Sequence, residues 1–551
     1  MGSLAAALLR VGLQARVRAE RRRFEQATAD PARAQAALLR TLLQREAATV
    51  FGREHGFATI RSAAEYARRL PIRDYEAFRP YVDRLVAGEP GVLTSEAPFM
   101  FATTSGTTGQ PKLIPVTATW RDELAALMRL WTVHALRDHP GLFDGQVLTI
   151  VSPAVEGRTA TGIPFGSMSG LAYQQLPWLV RRAHVLPYEV SLIEDYDARY
   201  FVTMRLALAR DVSALGTPNP STLIRLAEVA LARAEDLVRA IHDGALGAPV
   251  GDGIRRDVER TLRPDPTRAA VVARALGSGV VGSCWPGLAL VGCWLGGNAG
   301  VLARRVGRYY GEHVPRRDLG LVASEGRLTV PVEDGSPAGV LAVHRTFFEF
   351  VREADIEDPS PPVALAHELK EGERYYLILT GGNGLYRYDL NDIVEVRGFH
   401  QRTPKVAFVR KGRDMVSITG EKLHLNQIQD ALRRAERATG LDVWQFRVIP
   451  DVEAGRYDLL VEPAGAAPEA ATLAPFVAAF DEALRELNIE YAAKRSSKRL
   501  GPPRVHVMRA GWSERVCRAE FRQGRRDSQH KWAAIRPEWD AESRAEVVQS
   551  T

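Results

Sequence analysis

The sequence predicts an α/β protein in two parts: a large N-terminal domain of layered β-sheets and helices, and a small, mobile α+β C-terminal domain. Three observations predict it. At 551 residues the chain is too long for one hydrophobic core. Between residues 146 and 380 short apolar runs alternate with helix-like stretches, the pattern of sheets covered by helices. Near 406–413 the texture changes to a basic segment, and the remainder is a separate alternation of helices and strands of ordinary domain size. The domains are therefore read as 1–409 and 410–551, with the hinge near Arg413.

Residues 4–48 are rich in Ala, Leu, Arg and Glu at helical spacing and break near Asp30-Pro31, so two helices are expected. A helix over 120–137 and a buried strand over 146–152 follow. Residues 159–170 are Gly/Ser-rich, read as a loop able to line a pocket, and helices are expected over 200–209 and 221–242. Residues 244–266 look loose and charged, an excursion rather than a boundary. Leu288-Ala-Leu-Val-Gly-Cys-Trp-Leu295 reads as a buried strand ending at Gly296-Gly-Asn-Ala-Gly300, with a helix over 301–310 and strand-like pieces over 339–350 and 375–380. In the second domain helices are expected over 425–438 and 473–487, and strands over 443–449, 457–462 and 504–508.

The bulk composition, 46% hydrophobic and 25% charged, is that of a soluble globular protein. Three cysteines, Cys284, Cys293 and Cys517, cannot make a disulfide framework, and no C-x-x-C pair offers a zinc site, so a reducing cytoplasm is the simplest compartment. The net charge of +7 is concentrated: residues 494–531 hold twelve Lys/Arg against three Asp/Glu, a local +9. Such a patch could meet nucleic acid, an acidic membrane or a small polyphosphate. Without an aromatic-rich basic groove or a recognisable nucleic-acid module, no nucleic-acid partner is expected. The apolar run at 4–9 ends at Arg10, too short for a secretory segment, and Ala6 stands where a myristoylation signal needs Ser or Thr. Residues 275–303 carry no charge but hold eight Gly and Pro286, which suits a buried strand with tight turns better than a membrane span.

The densest chemistry lies in Thr103-Thr-Ser-Gly-Thr-Thr-Gly-Gln-Pro-Lys-Leu-Ile-Pro115. Its hydroxyls and backbone N–H groups, from Thr104, Ser105, Gly106, Thr107 and Thr108, can wrap a polyphosphate, and Lys112 adds charge. It is not the Walker pattern; its order resembles the phosphate loop of enzymes that activate carboxylic acids with ATP. Gly296-Gly297-Asn298 exposes backbone against which a flat ring can lie, and Ser324-Glu325-Gly326 offers a carboxylate beside a hydroxyl, suitable for Mg²⁺ on a phosphate. Tyr386-Arg-Tyr-Asp-Leu-Asn-Asp392 puts carboxylates after a strand, where one can take both hydroxyls of a ribose. Gly412-Arg-Asp-Met-Val-Ser-Ile-Thr-Gly-Glu-Lys422 reads as a hinge whose Arg413 can reach ribose or phosphate. Each motif alone also fits a plain turn or a solvated charge; their order along the chain favours a nucleotide site.

Taken together, these residues resemble the auxin-responsive (Gretchen Hagen three) family of acyl acid amido synthetases, a branch of the adenylate-forming superfamily. The likeness runs over nearly the whole chain, through Phe51-Gly-Arg-Glu-His-Gly-Phe57, the phosphate loop, Gly384-Leu-Tyr-Arg-Tyr388 with Asp392, Gly398-Phe-His400, Lys494-Arg-Ser-Ser-Lys-Arg-Leu-Gly-Pro502 and Ser528-Gln-His-Lys531. The resemblance implies that 1–409 is an adenylating domain and 410–551 a lid, that Lys531 is a mobile catalytic lysine, that Glu325 binds Mg²⁺, and that Asp392 holds the ribose. It implies ATP and Mg²⁺ as cofactors, and a small carboxylic acid and an amine or amino acid as partners of a monomeric enzyme. Gly162, Pro164 and Ser167 are candidates for the acyl pocket, with helices near 120–133 and 221–229. Leu321 stands where the family has Tyr, four residues before the metal-binding Glu. An acyl-CoA ligase would share the first half-reaction, and a nucleotide-binding protein with a degraded site would bind ATP without turnover. His400 is read as structural.

Overall fold

The computed structural model describes all residues except 1–2, 105–111, 357, 359, 413–414, 417–422, 452–453, 497–499, 523–531 and 537. The chain forms two compact units, Met1–Val409 and Arg410–Thr551.

Two helices open the first unit, Ser3–Ala29 and Pro31–Glu46, divided where Asp30 accepts the Arg33 N–H as N-cap and Pro31 takes the first helical position. The second is pinned to the sheet behind it by Gln35, whose side chain donates to the carbonyls of Val343 and Thr346 and accepts from the Phe348 N–H, so a fully buried amide is satisfied on both ends. Three larger sheets follow. One is parallel and four-stranded, in the order Gln146–Thr149, Val212–Gly216, Leu290–Gly292, Arg316–Arg317. The helix Ala118–Asp138 precedes its first strand, and Tyr196–Leu208, Pro220–Ala232 and Gly297–Tyr310 lie between its strands in the chain. A second sheet is built on the hairpin Met100–Thr104 and Lys112–Val116, extended by Pro164–Gly166 and Gly157–Arg158. The third has seven strands, with Tyr388–His400 and Arg374–Thr380 at its centre.

Between the second and third sheets lies an aromatic core. Phe51 stacks on Phe78 and Tyr386 at 5.7 and 4.9 Å, with Phe57, Tyr66, Phe347 and Tyr388 in the same buried cluster. Each such ring contributes about 2–3 kcal/mol on leaving water, and Tyr386 spends its hydroxyl on the Leu93 carbonyl at 2.6 Å.

The second unit has a four-stranded sheet, Val443–Asp451, Arg456–Pro463, Arg504–Met508 and Val547–Ser550, with Leu425–Thr439 and Ala470–Leu487 packed into one apolar cluster with it. Arg447, 1% exposed, pairs with Asp540 at 3.0 Å and lies 4.2 Å over the Trp532 ring. Trp532 donates to the Phe446 carbonyl, and the chain behind it bridges Val448 to Ile535, so the segment that follows Lys531 is sewn to the sheet edge.

Several expectations change. The single helix over 221–242 is two, Pro220–Ala232 and Ala234–Asp243, because Arg233 leaves helical geometry at φ −114°. The excursion at 244–266 contains the helix Asp252–Glu259, anchored by buried Val258. The loop at 159–170 contains the strand Pro164–Gly166 and the start of the helix Met168–Gln174. The strand over 288–295 is only Leu290–Gly292.

Candidate active site

The hairpin Met100–Thr104 and Lys112–Val116 pairs Thr104 directly with Lys112, so the phosphate-loop segment between them begins and ends at neighbouring points. Ser105, Gly106, Thr107 and Thr108 lie outside the described residues. The second strand is locked by Tyr75, whose hydroxyl accepts the Leu113 N–H at 2.7 Å and donates back to the Leu113 carbonyl at 3.2 Å. Lys112 then stands 5.5 Å over the Tyr75 ring and donates to the Tyr388 hydroxyl at 3.5 Å. Tyr388 in turn donates to Glu325 at 3.2 Å. One buried phenol thus links the loop lysine to the carboxylate 63 residues before it in the chain. Burial and the neighbouring Glu325 raise the Tyr388 phenol well above its usual range, so it stays a neutral donor.

Glu325 sits at the tip of the short hairpin Val322–Ala323 and Gly326–Arg327, beside half-buried Ser324. Its carbonyl accepts from the Asn383 amide at 3.3 Å; Asn383 is fully buried and its Oδ1 has no partner among the described residues. No cluster of three metal-ligating side chains occurs among the described residues. A lone buried carboxylate suits Mg²⁺, which keeps most of its waters and arrives on nucleotide phosphates.

The carboxylates expected after a strand lie within one. Asp389 and Asp392 belong to Tyr388–His400, and Asp392 is buried. Tyr376 pairs with Ile393 while Ile378 pairs with Asp389, so residues 390–392 bulge opposite Leu377, with Asn391 left-handed at φ 55°. A bulge re-aims the side chains it carries.

Gly296 caps the helix Gly297–Tyr310, so the glycine turn is a helix N-terminus, where the first N–H groups have no acceptor within the helix. Gly297 has φ 54°, and a Cβ there would meet the Phe408 ring at 2.9 Å and the Val409 carbonyl at 3.1 Å. Only glycine passes so close to that strand.

A cavity adjoins Glu325, lined by Trp120, Glu123, Leu124 and Leu127 of the helix Ala118–Asp138 and by Arg345. Burial raises the Glu123 carboxyl against the pull of Arg345, 3.6 Å away. Gly162, Pro164 and Ser167 are not among its lining residues. Gly162 is an exposed turn at φ 85°, Pro164 is paired with Arg158, and Ser167 caps the helix Met168–Gln174. Arg413 and Lys531 lie outside the described residues. His400 lies 3.4 Å from Glu25 and stacks on Phe24, a structural imidazole as expected. Tyr75, Tyr388 and Asn383 were not among the residues the sequence pointed to, although Tyr388 stands within Tyr386-Arg-Tyr-Asp-Leu-Asn-Asp392.

The layered sheets and helices of the first unit and the smaller α+β second unit are the elements of the fold shared by adenylate-forming enzymes. The structure superposes on a 2-hydroxyisobutyryl-CoA ligase in its postadenylation state with TM-score 0.52 at 15% identity, over 95% of this chain and 93% of that one. It superposes on GH3.15 acyl acid amido synthetase with TM-score 0.83 at 21% identity, over 96% and 95%. The GH3 family N-terminal, central and C-terminal domains match residues 20–315, 339–411 and 426–536. The chain belongs to the GH3 family and is a ligase of the adenylate-forming class. Its relatives include a jasmonoyl–L-amino acid synthetase of Oryza sativa subsp. japonica, 26% identical over 89% of each chain. An indole-3-acetic acid-amido synthetase of Arabidopsis thaliana is 22% identical over 90% of this chain and 87% of its own.

Proposed function

We propose that the protein joins a small carboxylic acid to the amino group of an amino acid through an acyl-adenylate. In the first step a carboxylate oxygen bonds to the α-phosphorus of ATP and the bond to pyrophosphate breaks. In the second the amine attacks the acyl carbon, AMP leaves with the C–O bond electrons, and the amine loses a proton. Adenylation is required because oxide is a poor leaving group from a carboxylate.

The phosphate loop from Thr104 to Thr108 and Lys112 hold the phosphates, Ser324 and Glu325 face them with Mg²⁺, and Asp392 takes the ribose hydroxyls. The glycine turn of Gly296, Gly297 and Asn298 receives the base. Mg²⁺ supplies charge neutralisation on the leaving pyrophosphate. Arg413 and Lys531 add positive charge, Lys531 on the α-phosphate oxygens as negative charge gathers there. The local +9 around Lys531 then serves a polyphosphate rather than nucleic acid. The cavity against Trp120 and Leu124 accepts the acid. The observation that carries this reading is the Lys112–Tyr388–Glu325 chain, which brings a phosphate-binding cation and a metal-type carboxylate onto one hydroxyl.

The protein acts as a monomer in the cytoplasm; among the described residues no helix is long and apolar enough to cross a membrane. A panel of carboxylic acids tested for ATP–pyrophosphate exchange decides the reading, and failure of every acid would leave a degraded nucleotide-binding protein, for which Leu321 is the one sequence feature. The fold shared with a CoA ligase keeps a thiol acceptor as the second reading. Comparing AMP release with CoA and with amino acids separates the two.

A further inference from the structure

The edge strand of the parallel sheet, Arg316–Arg317, is followed by Asp318, a carboxylate only 4% exposed. Its Oδ2 accepts the Leu295 N–H and its Oδ1 accepts the Gly320 N–H, both at 2.6 Å. Leu295 directly precedes the glycine turn at Gly296, and Gly320 opens the segment that carries Leu321 and Glu325. The two segments leave neighbouring strands, Leu290–Gly292 and Arg316–Arg317, at their carboxyl ends, where open α/β sheets bind ligands.

The surroundings hold the carboxylate to this task. The Asp318 carbonyl accepts from Trp131 at 2.8 Å, and Trp294 donates to the Gly320 carbonyl at 3.0 Å, a second tie between the same segments. Gly320, at φ 88°, has no room for a Cβ, which would lie 2.6 Å from the Thr329 carbonyl. Arg327 is the buried counter-charge, and it donates to the Leu319 carbonyl at 2.8 Å. Burial pushes the Asp318 carboxyl up to about 6 against the pull of its two N–H donors. An ionised group there contributes less to stability than an apolar side chain would, and its two carboxylate oxygens are both engaged in joining the segments at Leu295 and Gly320.

We propose that Asp318 is a positioning residue for the nucleotide, setting the distance between the glycine turn that receives the base and the Glu325 hairpin that receives the metal-bound phosphates. The proposal rests on the nucleotide reading above. Asp318→Asn keeps one acceptor and turns an N–H donor toward a backbone N–H, so one tie is lost. A hydrogen bond to a charged group is worth about tenfold or more in an equilibrium, and both ends of ATP depend on the tie.

The test is ATP–pyrophosphate exchange by the full chain, with ATP and acid varied separately, after ATP binding by the wild type has been measured by equilibrium dialysis. Asp318→Asn is expected to raise KM for ATP about tenfold and to leave KM for the acid within about twofold. A purely structural role would lower kcat through loss of active protein and leave KM for ATP unchanged, and that result overturns the proposal. If the wild type binds no ATP, the nucleotide reading falls and this proposal with it; if it binds and the variant's KM is unmoved, only the proposal falls. Should the variant not fold, amide hydrogen exchange on the wild type decides: Leu295 and Gly320 are expected to be protected without nucleotide, and fast exchange at either overturns the assignment.

Discussion

Replacing Tyr388 with Phe isolates the link on which the site reading depends. The ring is 1% exposed and packs 6.0 Å from Phe78, so the substitution removes one oxygen without opening a cavity of consequence. What disappears is one bond donated to Glu325 at 3.2 Å and one accepted from Lys112 at 3.5 Å. Both distances lie beyond the usual range, so the two together contribute about as much as one weak hydrogen bond to a charged group, about 1.5 kcal/mol. If the two ions are held for phosphate and Mg²⁺, the loss appears where those ligands are used. ATP–pyrophosphate exchange should fall about tenfold, since 1.4 kcal/mol is a factor of ten. The Mg²⁺ concentration giving half-maximal rate should rise by a similar factor, because Glu325 is free to turn away from its binding position. Stability is also affected, since Glu325 is 8% exposed and loses a donor, at a penalty of about 1–3 kcal/mol. Exchange at the wild-type rate, with the same Mg²⁺ midpoint, would refute the reasoning whatever happened to the melting temperature.

Lys531→Ala is expected to lower pyrophosphate exchange by about 10²–10³ while circular dichroism and the melting temperature stay those of the wild type; near-normal exchange removes Lys531 from the mechanism. Gly297→Ala places a methyl against Phe408 at a φ of 54°, a strain of about 1–3 kcal/mol. Its KM for ATP, measured with the acid saturating, should rise about tenfold or more; an unchanged value removes the glycine turn from the site. Glu20 ties the first helix to the core through His344 at 2.9 Å and through Arg345. Burial alone would raise its carboxyl, yet the hydrogen bonds from His344 and Arg345 bring it from 4.5 down to about 2. A depressed carboxyl stabilises the fold above its unfolded value and loses that contribution as pH falls through the folded one. Thermal melts should therefore show the wild type ahead of Glu20→Gln by about 3 kcal/mol at neutral pH, with the gap closing between pH 4.5 and about 2; a gap independent of pH contradicts the assignment.

Legibility in the sequence followed how local each determinant is. The helix Ala118–Asp138 and the strand Arg504–Met508 were readable because their apolar spacing is sustained by the chain itself, and the break at Asp30-Pro31 because capping and proline geometry are local. The split at Arg233 was not, since nothing in its composition forbids a continuous helix. The short helix Asp252–Glu259 was hidden because it rests on a single buried side chain, Val258. At the candidate site the residue types were legible and their company was not. Lys112 and Tyr388 are 276 residues apart, and no periodicity connects them. Asp318 offered no motif at all: an acid beside Arg316 and Arg317 reads as a solvated charge until the fold buries it. Gly162 and Ser167 have local roles, a left-handed turn and a helix cap, that residue type alone already suits.

The geometry around Asp392 explains why the site tolerates strained backbone. Arg387 and Asn391 both lie at positive φ, 50° and 55°, and non-glycine residues held in such conformations cost about 1–3 kcal/mol each. Arg387 is fixed from three directions: a buried ion pair with Glu349 at 2.9 Å, a bond to the Ala67 carbonyl at 2.8 Å, and another to the Leu70 carbonyl. Asn391 is fixed locally, its N–H donated to Asp389 at 2.7 Å. The same short segment that accepts Arg387 continues to Arg73, whose backbone bonds to Arg387 and Asp389, and then to Tyr75, which closes on Leu113. Residues 67–75 therefore hold both the bulged strand and the phosphate-loop strand. Tyr388 and Lys112 meet because each is fastened to that one segment. Breaking the Glu349–Arg387 pair would release the strain at Arg387 and move Tyr388 and Asp392 together, so a single substitution should disturb Asp392 and, through the Tyr388 hydroxyl, Glu325.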